Sequence, residues 1–104
     1  MKRVAFKMKL KPGSLEEYQK RHDEIWPELA GALHAAGIAD YSIFFDDATL
    51  TLFAVQQVAD QNTADQLPDL PIVRQWWASM APLMEVKADD SPVVCPLREV
   101  FHLD

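Results

Sequence analysis

The hydrophobic period of this chain changes abruptly at Pro12-Gly13, and that change limits the possible folds more than any other feature. Before it, Val4, Phe6, Met8 and Leu10 alternate with Ala5, Lys7, Lys9 and Lys11, the two-residue period of a strand with one buried face. After it, Leu15, Tyr18, His22, Ile25, Leu29 and Leu33 recur at three- and four-residue steps, which puts them on one face of a helix. Ser14 and Glu17 stand three apart at the junction and form a capping-box signature. Pro27 then interrupts the helical pattern. It removes a backbone donor and crowds the preceding turn, so a kink or a split into two helices is expected there. Gly37 is the expected residue just past the helix end.

The remaining periods complete the order of elements. Tyr41 to Phe45 and Leu50 to Val58 read as two strands of a hairpin around Asp46-Asp47-Ala48-Thr49. Residues 60 to 71, rich in Asp and Pro, are expected to hold a short helical turn at most and then a loop. Ile72, Val73, Trp76, Trp77, Met80 and Met84 predict a second amphipathic helix with Pro71 in its first turn. A polar connection, Ala88-Asp89-Asp90-Ser91-Pro92, leads to a final strand over Leu97 to Leu103. The result is one α+β domain spanning residues 1–104, in the β-α-β-β-α-β order of the ferredoxin-like split βαβ arrangement. Ile43 and Phe45 fall on one side of their strand and Phe44 on the other. The sheet therefore carries large hydrophobes on both faces, and sheet-to-sheet pairing into a homodimer is the expected cover.

Composition excludes several classes of partner. The net charge is −6 and the lysines of the first strand lie along a solvated face, which argues against nucleic acid and against an anionic membrane. No apolar run approaches the roughly 20 residues needed to span a bilayer, and the N-terminus breaks at once into alternation with lysine, unlike a signal peptide. The single cysteine, Cys95, rules out an internal disulfide framework and fits the cytoplasm. Neither His-Glu-x-x-His nor Cys-x-x-Cys occurs, so no metal is expected. The serines lack a Gly-x-Ser-x-Gly context, and three glycines are too few for a phosphate-cradling loop.

Chemistry-bearing residues are few. Tyr18 and His22, four apart on the apolar face of the first helix, place a phenol and an imidazole one turn apart and facing inward. A lone histidine on such a face is more often structural. An imidazole near neutrality beside a hydroxyl is also the commonest acid/base device in enzymes. Adjacent Trp76 and Trp77 point about 100° apart on a helix. One is therefore expected in the core, the other at a cavity, a rim or a subunit contact. Tryptophan packs well against the C–H faces of sugars, its N–H free to bond a hydroxyl. Tyr41 reads as a core aromatic with its hydroxyl at a rim. His34, His102 and Cys95 are weaker candidates, Cys95 being expected as an incidental buried thiol.

Five segments in order, Tyr18-x-x-Arg21-His22-x-x-Ile25-Trp26-Pro27-Glu28-Leu29, Tyr41-Ser42-Ile43, Trp76-Trp77-x-x-Met80-x-x-x-Met84, Ser91-Pro92-Val93 and Glu99-Val100-Phe101-His102-Leu103, together resemble the L-rhamnose mutarotases nearly end to end. The resemblance implies a dimeric α/β barrel of the ferredoxin-like class that interconverts the α and β anomers of L-rhamnopyranose in the cytoplasm without a cofactor. It also implies His22 as proton donor and Tyr18, Tyr41, Trp76 and Trp77 as sugar-binding residues. On this reading an imidazolium at His22 protonates the ring oxygen, and the base is Tyr18, Tyr41 or an ordered water. The chain departs from the family pattern in the proline-rich segment 65–71, at Asp90 and at Cys95-Pro96. Two other readings compete: an oxygenase or haem-binding protein on the same dimeric scaffold, and a non-catalytic ligand-binding module in which Trp76-Trp77 is interface.

Overall fold

The computed structural model describes all 104 residues. Strand β1 (Lys2–Lys9) ends at the Pro12-Gly13 turn, and helix α1 (Leu15–Asp23) follows. Pro27 does split the helix: α2 (Pro27–Ala35) starts with Pro27 in its first turn, where a missing N–H costs nothing. Gly37 closes α2 at φ +97°, and a Cβ there would meet the Cβ of Asn62 at 2.9 Å, so both conformation and space favour glycine. Strands β2 (Ile38–Asp46) and β3 (Thr51–Val58) make the expected hairpin. A 3-10 segment (Ala64–Asp69) occupies the Asp/Pro-rich stretch, and helix α3 (Pro71–Met80) runs into a short 3-10 turn.

The capping box at Ser14 does not form. Ser14 is the N-cap residue, but its backbone is already helical and its side chain makes no capping bond. The Glu17 carboxylate is taken instead by Arg21, whose Nε donates to it at 2.7 Å.

The four strands form one antiparallel sheet in the order β2-β3-β1-β4. Each crossover through helix therefore skips the strand that lies between its ends. Met8, Leu10, Leu52 and Ala54 from the sheet pack with Tyr18 of α1, Met80 of α3 and Met84 into the buried core. The sheet's other face has no cover of its own. Phe44 pairs across to Phe53 there and is 65% exposed, as the two-sided pattern of β2 anticipates.

The final strand is a correction. β4 covers only Cys95–Leu97, and residues 98–104 form no strand although their alternation continues. The reason lies in register. β4 runs antiparallel to β1 and has already reached Ala5 at Leu97, so only Lys2, Arg3 and Val4 of β1 remain beyond it, too few for the strand expected to Leu103. The ion pair Arg3–Glu99 at 3.2 Å is made, but the chain then outruns the end of its partner. Val100, Phe101 and Leu103 stay 84%, 77% and 79% exposed.

Candidate active site

Tyr18 and His22 meet as their spacing requires, with ring centroids 4.2 Å apart and planes inclined by 34°. His22 Nδ1 lies 2.9 Å from the carbonyl oxygen of Tyr18, one turn back. A carbonyl can only accept, so Nδ1 carries the hydrogen and donates it. That bond leaves Nε2 as the ring nitrogen available to a ligand. Trp76 of α3 meets the imidazole edge to face at 5.3 Å, and Trp26, from the segment between α1 and α2, meets Trp76 in the same way at 5.1 Å. Two aromatic rings thus pack on the imidazole, and a third, Trp26, braces one of them. A polar tie runs alongside. Arg21 donates to the Ser79 carbonyl at the end of α3 while holding Glu17, and Ser79 Oγ donates to the Trp76 carbonyl at 2.7 Å.

These groups line a cavity of about 770 Å³ between the helices and the inward face of the sheet, within the ordinary range for a small-molecule site. Tyr18, His22, Tyr41, Trp76 and Trp77 all line it. The expectation that only one of the two tryptophans faces the cavity is therefore corrected. The cavity is wide enough to follow α3 through the 100° between them, and both are half-buried. Tyr41 is at the rim rather than in the core, 39% exposed as a whole residue.

Burial sets the protonation states. It pushes His22 below the ordinary histidine value, an effect only partly offset by the Tyr18 carbonyl and by Asp23. The ring therefore rests neutral at neutral pH, and the imidazolium expected from the sequence is not the resting form. Burial raises Tyr18 above the ordinary tyrosine value, with the nearby Tyr41 adding to the effect. It pushes the Tyr41 phenol up to about 12. The exposed fraction of Tyr41 counts its whole surface, whereas the shift reflects the crowded surroundings of its oxygen. Both phenols keep their protons and are available as hydrogen-bond donors, which removes them as the resting base.

His34 also touches the cavity but is exposed. His102 is outside it and bonds Asp104 at 2.9 Å. Cys95 is exposed on the edge strand β4, not buried as expected, because β4 has no neighbour on its outer side. Sequence reasoning missed two contributors. Trp26 braces Trp76, and its one signal is a large aromatic placed directly before a helix-opening proline. Asp40 lines the cavity beside Tyr41, and adjacent strand residues do not ordinarily share a face.

A neutral imidazole with one free nitrogen, two protonated phenols and an indole wall suit proton transfer on a small hydroxylated ligand. The L-rhamnose mutarotase profile matches residues 3–103, and the chain belongs to that family. It is 52% identical over 103 residues to the L-rhamnose mutarotase of Jannaschia sp. (strain CCS1), covering 99% of each chain. With the L-rhamnose mutarotase of Phocaeicola vulgatus the identity is 52% over 104 residues, with 100% of both chains covered. The crystal structure of the L-rhamnose mutarotase from Formosa agariphila superposes with a TM-score of 0.94 at 46% identity, again over 100% of both chains. Neither the haem-binding nor the non-catalytic reading has support among these relatives.

Proposed function

We propose that this chain interconverts the α and β anomers of L-rhamnopyranose, and that His22 carries the proton. The observation that carries this reading is the His22 Nδ1 bond to the Tyr18 carbonyl, which presents Nε2 of a neutral ring to the cavity. Ring opening moves one proton from the anomeric oxygen to the ring oxygen while the C1–O5 bond breaks and the C1=O1 bond forms. Both oxygens are bonded to C1, so one nitrogen reaches both. Neutral His22 takes the anomeric proton, and the imidazolium so formed gives it to the ring oxygen. Rotation about C1–C2 turns the other face of the aldehyde to the C5 hydroxyl, and the reverse transfers close the ring with C1 inverted. Positioned acid/base catalysis of this kind supplies about 10²–10⁴-fold. Tyr18 and Tyr41 donate hydrogen bonds to sugar oxygens, and Trp76 and Trp77 face the methyl group and C–H surface. No step needs a cofactor, and the reading places the reaction in cytoplasmic rhamnose catabolism.

The strand order β2-β3-β1-β4 supports a ferredoxin-like fold, and the outward face of its sheet supports a homodimer closed as an α/β barrel. On that face Phe44 pairs with Phe53, while Val55 lies beside Ala5 and Ala5 beside Leu97. Lys7 of β1 lies within this strip beside Phe53, and Lys9 of β1 and Asp46 of β2 stand at its end on either side of Thr51. A two-fold pairing of identical faces would bury the strip.

Saturation transfer between the two anomeric protons of L-rhamnose tests the function. The protein is expected to accelerate exchange well above the buffer rate, and an unchanged rate would contradict the reading.

A further inference from the structure

The β2–β3 ladder contains one irregularity, and it lies at the cavity. Ile38 pairs with Val58 and Ala39 with Gln57, but the next partners are Ser42 and Val55. Asp40 and Tyr41 together oppose Gln56 alone, which is a β-bulge. The bulge changes which residues of β2 face inward. Ile38 is buried before it, and Ile43 and Phe45 pack against the core after it, so the inward positions switch from even to odd numbers. Two consecutive side chains, Asp40 and Tyr41, consequently line the same cavity.

Asp40 adopts φ +49° to make this turn. Leu50 and Asp90 also have positive φ, but both sit in loops where such a conformation is common. Asp40 is inside a strand, where glycine would adopt the conformation more easily. Asp40 is exposed at the cavity's rim, and its carboxylate makes no hydrogen bond or ion pair with the protein, so both oxygens are open to a ligand. Asp46, Asp60, Asp89 and Asp104 are engaged by protein donors, whereas the carboxylates on the cavity are free, and Asp40 is the one among them set inside a strand. The other carboxylates on the cavity, Asp23, Asp47 and Asp90, lie at a helix end or in loops.

We propose that Asp40 is the residue that holds the sugar's hydroxyl groups, accepting hydrogen bonds from a neighbouring pair of them and so turning C1 toward His22 Nε2. This rests on the mutarotase reading above. A carboxylate is an acceptor only, with two oxygens spaced to take two parallel O–H donors. Tyr41, next to it on the bulge, complements it as a donor. The strained backbone is thus the means by which one strand offers an acceptor and a donor side by side.

The test uses Asp40→Asn and Asp40→Gly, both of which tolerate positive φ. Anomeric exchange by NMR gives kcat and KM, and quenching of tryptophan fluorescence by L-rhamnose gives affinity without any need for turnover. In both variants the KM and the dissociation constant are expected to rise about 10- to 100-fold, the worth of charge-assisted hydrogen bonds. kcat should stay within about 3-fold, and Asp40→Gly should melt no lower than the wild type. A deoxy-rhamnose lacking the bound hydroxyl should lose the same factor on the wild type and nothing further on Asp40→Asn. Wild-type KM and affinity in Asp40→Asn would overturn the proposal. A fall in kcat at constant KM would also overturn it, because Asp40 would then be a proton-transfer group. If the wild type fails to accelerate exchange, the mutarotase reading fails. The fluorescence titration still decides whether Asp40 holds the sugar.

Discussion

On the inward face of β3, Leu52 and Ala54 are 1% and 0% exposed. One residue along, on the outward face, Phe53 meets Phe44, most of whose surface is open to solvent. The same alternating strands carry apolar residues to both sides, yet the chain covers only one of them. The covered side became an enclosed place where an imidazole is desolvated and two phenols keep their protons. The bare side carries Lys7 beside Phe53 and no enclosed titrating group, and nothing in the chain covers it. Burial by the chain itself makes the enclosed site, and the proposed homodimer would give the other face its cover.

The largest expected effects lie on the covered face. His22→Ala should lower the exchange rate by about 10²–10⁴-fold while leaving the circular dichroism spectrum unchanged. Normal activity in this variant would break the link between enclosure and catalysis. Leu52→Ala removes a fully buried side chain from between α1, α3 and the sheet, and should cost about 2–5 kcal/mol in urea unfolding.

Mutations on the bare face should act through assembly. Phe44→Glu is expected to give a folded monomer in sedimentation velocity where the wild type sediments as a dimer. An exposed substitution of this kind changes the stability of the isolated fold by no more than about 0.5 kcal/mol. A dimer that survives Phe44→Glu would place the interface elsewhere. The smallest effect is expected at the seam. Arg21→Ala cuts the tie between α1 and the end of α3, costing about 1 kcal/mol and raising KM slightly as Trp76 loosens against His22.

What the sequence showed and what it hid divide along physical lines. The split at Pro27, the close at Gly37, the β2–β3 hairpin and the pairing of Tyr18 with His22 depend on local period and backbone chemistry, which neighbouring residues reveal. The bulge at Asp40 depends on the register against β3, so no window of β2 alone contains it. Residues 98–104 keep a strand's alternation, but from Phe101 on they run past the end of β1, and alternation says nothing about whether a partner is there. The Ser14–Glu17 signature failed because Arg21 competes for the carboxylate. The Trp26–Trp76–His22 stack joins three elements whose packing is a property of the whole fold. The protonation state of His22 was hidden for the same reason, since burial decides it.

That protonation state offers the most direct test. The folded value for His22 lies below the ordinary histidine value, so the ring is neutral at pH 7 and gains a proton only as the pH falls through that lowered value. If neutral His22 takes the first proton, kcat/KM for L-rhamnose exchange should be level at neutral pH. It should decline toward acid with an apparent pKa below about 6.5, and the decline should vanish in His22→Ala. A rate that instead rises as His22 becomes protonated would contradict the account.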